Sequence, residues 1–138
     1  MSSYWTNPMT DATGPIYELE ITAVGPLVAE FTAEGIWVFF HEQAPEEVAE
    51  FALLHHAPPP RQPLAPGQTL TIGSERYCVT AVGPVANENI ANLGHLVLKA
   101  NGFAEAELPG DVCIEARPLP HPSIGLRLHV WAPTGEPS

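Results

Sequence analysis

His55 and His56 are the side chains of this sequence best suited to chemistry, and they run directly into Ala57-Pro58-Pro59-Pro60. Free imidazole titrates near pH ~6.5, so at neutral pH each ring is mostly uncharged and carries a nucleophilic nitrogen. A histidine at the end of a rigid element, beside a proline run that cannot continue a helix, suits presentation to a partner. His95, in Asn92-Leu93-Gly94-His95-Leu96-Val97-Leu98, is the second candidate. Facing the same opening as His55, it would orient the first imidazole or donate to a phosphoryl oxygen. Plainer roles stand beside both: a histidine capping helical carbonyls at 55, and a half-buried strand histidine at 95.

Other chemistries find little support. The six histidines (His41, His55, His56, His95, His121 and His129) contain no His-x-x-x-His pair, and no Cys-x-x-Cys accompanies them. Zinc is therefore disfavoured, and no metal or cofactor is called for. Gly-rich phosphate loops, Gly-x-Ser-x-Gly elbows and kinase signatures are missing from the sequence. A chain of this kind that handles phosphate must receive it already activated.

The elements that must position these residues read mainly as short strands: a small barrel-like β fold with one helix. Residues 16–24 alternate at period two and stop at Gly25-Pro26. Ile36–Phe40 is a compact apolar run; Thr69–Ile72 and Arg76–Val82 flank Gly73-Ser74-Glu75 as a hairpin. Leu96–Lys99, Asp111–Glu115 and Gly125–Val130 supply further strands, and a short helix or turn is expected at Asn87–Asn92. Thr22-Ala23-Val24-Gly25-Pro26 recurs as Thr80-Ala81-Val82-Gly83-Pro84, which suggests two quasi-equivalent strands. The helix is placed at about 45–55, with Pro45 at its first position and Glu46 and Glu47 at the positive end of its dipole. Val48, Phe51, Ala52 and His55 then share one face, so His55 turns to the sheet while His56 points about 100° away. Residues 15–131 form one domain between loose ends at 1–14 and 132–138.

Composition bounds the partners. The chain has 138 residues, 16 prolines and a net charge of −11, with only Arg61, Arg76, Lys99, Arg117 and Arg127 as strong cations. Nucleic acid and anionic membranes are poor partners for such a surface, and a basic protein is favoured. The polar start lacks the pattern of a secretory signal, and no apolar run reaches 18 residues, so a cytoplasmic protein without membrane insertion is expected. Cys78 and Cys113 lie in apolar stretches and read as two buried free thiols.

Longer stretches carry a family resemblance. Phe40-His41-Glu42-Gln43-Ala44-Pro45 through Phe51 and His55 resembles the segment of the bacterial phosphotransferase system's glucitol/sorbitol-specific enzyme IIA that leads to its phosphoryl acceptor. The likeness continues through Leu64–Gly73, Tyr77–Gly83, Asn89–Leu98 and Ala104–Gly110, and so spans about 16–130. It implies a cytoplasmic phosphocarrier, mostly β, in the service of sugar uptake. Such a protein takes a phosphoryl group from the phosphohistidine of HPr and passes it to a cysteine of the IIB component of the IIB/IIC permease. His55 corresponds to the acceptor, with His95 orienting it or contacting the phosphoryl group. Two departures stand out: the family's second histidine, two places after the acceptor, is Ala57 here, and a proline run replaces an ordinary loop. A regulatory or ligand-binding relative that keeps the fold without transferring phosphate is the alternative.

Overall fold

Alternating burial shows why these segments are strands. In β1 (Tyr17–Glu20) Tyr17 and Leu19 are buried while Glu18 and Glu20 are exposed, the pattern of a sheet wet on one face. The structure, a computed structural model, describes residues 14–133. The expected loose ends therefore lie outside the described residues, save for Gly14, Ala132 and Pro133. After β1 come β2 (Ala23–Val24), α1 (Val28–Ala33), β3 (Ile36–His41), α2 (Glu46–Ala49) and β4 (Leu53–His55). The second half holds β5 (Thr69–Ile72), β6 (Glu75–Val82), α3 (Ala86–Leu93), β7 (Leu96–Lys99), β8 (Asp111–Ile114) and β9 (Arg127–Trp131).

The nine strands among the described residues form one curled sheet in the order β1-β9-β5-β6-β8-β7-β3-β4-β2. Its two ends are stitched by consecutive residues. The Ile21 amide donates to the Leu126 carbonyl beside β9, and the Thr22 amide donates to the Leu54 carbonyl in β4. The curl is thus barrel-like, as expected, and its inner face holds a single cluster that includes Trp37, Phe39, Leu53, Tyr77, Leu96, Leu98, Val112 and Val130.

The repeated Thr-Ala-Val-Gly-Pro marks a repeated architecture. Ala23 and Val24 pair antiparallel with Leu54 and Leu53; Ala81 and Val82 pair the same way with Cys113 and Val112. Each copy then runs through Gly-Pro into a helix and on through a glycine of positive φ, Gly35 or Gly94, into a strand. That strand, β3 or β7, lies parallel to β4 or β8 respectively. The copies meet at β3 and β7, antiparallel, with Val38 opposite Val97 and the flanking pairs Trp37–Leu98 and Phe39–Leu96 exchanging places. An approximate two-fold axis therefore passes between the two valines. Under it His55 matches Ile114, His41 matches Ala100, and Gly94 matches Gly35.

One expected element is corrected. The helix placed at 45–55 is a single turn, Glu46–Ala49, and His55 ends a strand instead. The apolar run Phe51–Leu54 fits a helix face and a buried strand equally well. Here the open slot between β2 and β3 decides, because Leu53 and Leu54 pair on both sides and tertiary pairing overrides local period. The conclusion about facing survives by another route: His55 is buried and His56 exposed through strand alternation. Residues 16–24 form two strands rather than one, and α1 lies where no helix was anticipated. Cys113 is buried as expected, but Cys78 is exposed.

Candidate functional site

His55 is held by backbone on both sides. It ends β4, where its backbone partner in the parallel ladder is His41 of β3, so both side chains enter the same inner face. Fully buried, at 0% exposure, the ring must satisfy both nitrogens without water. Nε2 lies 2.9 Å from the Gly94 carbonyl oxygen, which can only accept, so Nε2 carries the proton. Nδ1 accepts the Ala57 amide N–H at 3.0 Å, so it holds the lone pair. The imidazole is thereby fixed as one neutral tautomer with its nucleophilic nitrogen at Nδ1.

Desolvation by burial is the largest influence on His55 and lowers its pKa, partly offset by the Gly94 hydrogen bond, with His41 and His56 adding to the lowering and Glu42 opposing it. The folded state therefore binds a proton less readily than the unfolded chain. Its contribution to stability is full above the unfolded value of about 6.5 and is lost as the pH falls below it. Acidification from pH 7.5 to 5 should destabilise the wild type more than His55→Gln. The excess slope should approach, and not exceed, about 1.4 kcal/mol per pH unit, as read by urea titrations at each pH.

His41 is the residue that sequence reasoning passed over. Its ring meets that of His55 edge-on, with centroids 5.1 Å apart, and its Nε2 lies 3.1 Å from the Ala57 carbonyl oxygen. Extending the alternation of Trp37 and Phe39 by one more inward position would have found it. Gly94 is equally necessary: a Cβ there would stand 1.9 Å from Cδ2 of His41. Residue 94 also sits in the left-handed region, at φ 62°, where it ends α3.

His95 lies elsewhere. Its Nδ1 is 3.3 Å from the Phe39 carbonyl oxygen, and its ring stacks on Phe40 with centroids 4.1 Å apart. Alternation along β7 buries Leu96 and Leu98 and puts His95 on the outer face with Val97 and Lys99. No hydrogen bond or ring contact joins it to His55 among the described residues. The orienting atom is the carbonyl oxygen one residue earlier, at Gly94.

A cover separates His55 from solvent. Ala57 is 9% exposed, whereas Pro58 and Pro59 are exposed. Prolines 58–60 carry no N–H, so the described backbone ties of this stretch reduce to Ala57 at one end and the Arg61 amide to the Ile16 carbonyl at the other. A groove of about 450 Å³ runs along it, lined by His56, Ala57, Pro58, Arg61, Arg127 and β1, and not by His55.

Comparison with known proteins gives a consistent result. The family model described as the PTS system glucitol/sorbitol-specific IIA component matches residues 16–129. Two proteins named PTS system glucitol/sorbitol-specific EIIA component, from Shigella flexneri and Escherichia coli (strain K12), are each 37% identical over 105 residues. These alignments span 76% of this chain and 85% of each relative. In structure, a PTS system IIA component from Enterococcus faecalis V583 superposes with a TM-score of 0.74 at 24% identity, covering 83% of this chain and 99% of that one. That likeness shows the shared fold.

Proposed function

Because the chain belongs to the glucitol/sorbitol-specific IIA component family of the phosphotransferase system, we propose that His55 is its phosphoryl acceptor and Nδ1 the accepting nitrogen. The observation that carries this reading is the fixed tautomer: the proton is held at Nε2 by the Gly94 carbonyl, leaving a neutral lone pair at Nδ1. In the transfer, Nδ1 attacks phosphorus in line, the new N–P bond forms, and the N–P bond of the donor phosphohistidine breaks with its electron pair leaving on the donor imidazole. The phosphoramidate keeps a high transfer potential. The group then passes to a cysteine thiolate of the IIB component by the same displacement.

At rest the Ala57 N–H occupies Nδ1, so transfer requires that N–H to turn off the nitrogen and the Pro58–Pro60 cover to swing aside. With so few ties of its own, the cover is suited to such movement. Arg61 and Arg127 line the groove beside it together with Glu18 and Glu20, which pair with Arg127 at 3.8 and 3.4 Å. HPr is the proposed donor, met by an acidic body whose attraction for basic surfaces weakens with salt, and the cytoplasm is the proposed compartment. His95, on the outer face, is assigned to contact with partner proteins rather than with the reacting ring.

The test is to incubate the protein with phosphoenolpyruvate, enzyme I and HPr and to map the label by mass spectrometry under conditions that preserve phosphoramidates. Stoichiometric acid-labile, base-stable phosphate on His55 is the expected result, and His95→Ala should keep that stoichiometry. A label on His56 would overturn the assignment. No label at all, with HPr competent towards another acceptor, would make His55 a buried structural residue and the protein a non-transferring relative.

A further inference from the structure

The residues around His55 form a closed circuit. His41 Nε2–H donates to the Ala57 carbonyl, the Ala57 N–H donates to His55 Nδ1, His55 Nε2–H donates to the Gly94 carbonyl, and Gly94 packs against the His41 ring. Two links of this circuit use one residue, Ala57: its N–H, in the peptide group shared with His56, and its carbonyl, in the peptide group shared with Pro58. The segment beyond it is proline and adds no N–H of its own. Only the φ and ψ of Ala57 lie between the two groups, and the proline that follows narrows them, so holding the Ala57 carbonyl restricts where the Ala57 N–H can point.

We propose that His41 is a positioning residue for phosphoryl transfer: it holds the Ala57 carbonyl so that this residue's N–H caps His55 Nδ1 at rest and turns to a phosphoryl oxygen once Nδ1 is phosphorylated. The proposal rests on His55 being the acceptor. The chemistry of the cap requires it to change partners. A lone pair that has become an N–P bond no longer accepts a hydrogen bond, whereas the three phosphoryl oxygens beside it accept strongly. An N–H already aimed at Nδ1 is within reach of those oxygens after a small rotation, provided the carbonyl of the same residue stays anchored. His41 supplies that anchor from β3, the strand beside β4, so the anchor belongs to the sheet and not to the moving cover. Preorganised donors of this kind lower the barrier and lengthen the life of the product without touching substrate chemistry.

The test compares wild type, His41→Ala and His41→Gln, the last keeping an N–H donor. Three readouts are taken: single-turnover transfer from phospho-HPr at varied donor concentration, the half-life of isolated phosphoprotein, and long-range proton–nitrogen NMR of the His55 ring. In His41→Ala the label should stay on His55. The maximal transfer rate should fall about tenfold, as for one lost hydrogen bond, with the concentration for half-saturation unchanged. The phosphoprotein should hydrolyse faster, and the His55 Nδ1 resonance should shift as its cap loosens. His41→Gln should recover most of each effect. Wild-type rates and lifetimes in His41→Ala would overturn the proposal while leaving the acceptor assignment intact. A rate loss that Gln does not rescue, with the His55 resonances unmoved, would overturn it as well by reducing His41 to packing. Should His41→Ala fail to fold, failure of His41→Gln to match the wild-type lifetime and rate would decide against it. A wild-type label away from His55 would overturn both readings together.

Discussion

His55→Gln is expected to lose phosphoryl transfer from phospho-HPr by at least about a thousandfold, because the amide that replaces the ring offers no nucleophilic nitrogen at the place of Nδ1. His56→Gln should transfer normally: its exposed ring lies on the opposite side of the strand and lines only the outer groove. Glutamine can still donate to the Gly94 carbonyl, so the folded state should survive the change. The pair of variants therefore separates chemistry from structure in adjacent residues. Measurement of acid-labile phosphate per mole of protein, with thermal unfolding as control, checks it. Transfer retained in His55→Gln would remove the acceptor assignment.

The second large effect is on stability. Gly83→Ala and Gly25→Ala should each cost about 3 kcal/mol or more, lowering the melting temperature by on the order of 10 °C. A Cβ at residue 83 would stand 2.2 Å from the Pro109 carbonyl oxygen, and one at 25 would stand 2.1 Å from that of Ala49. Those obstacles are backbone held in place by neighbouring hydrogen bonds, Val85 to Pro109 and Leu27 to Glu50, so neither can step aside cheaply. Gly67→Ala is the contrast. Its φ of +95° strains a side chain, yet nothing lies within 4 Å, and only about 1–2 kcal/mol should be lost. Equal losses at all three glycines would contradict this account.

Much of this was legible in the sequence, for identifiable reasons. Strands whose two faces differ, such as β1 and the hairpin of β5 and β6, announce themselves by alternation. The Thr-Ala-Val-Gly-Pro repeat reported a real equivalence because both glycines meet backbone in the same way. The segment Phe51–His55 misled because a short apolar run has no period of its own; only the vacancy between β2 and β3 makes it a strand. His95 was expected to face the same opening as His55, and its ring instead stacks on Phe40. Its sequence neighbour Gly94 does reach His55, but through a backbone oxygen, and main-chain acceptors leave no mark on residue type. His41 was hidden by ending its strand one residue early.

The approximate two-fold axis has a final consequence. His41, His55 and Ala57 come from the first copy of the repeated unit, while the oxygen that fixes the acceptor's proton comes from Gly94 of the second. At the matching place across the axis stand Ile114, Ala100 and Gly35, which can pack but cannot transfer. The duplicated frame is therefore symmetric in build and single-handed in chemistry. Neither copy alone holds the circuit, so in a half-folded chain the His55 ring exchanges between its two neutral tautomers instead of being held in one. A single tautomer at His55, the proposed acceptor, therefore reports that the two copies have docked correctly.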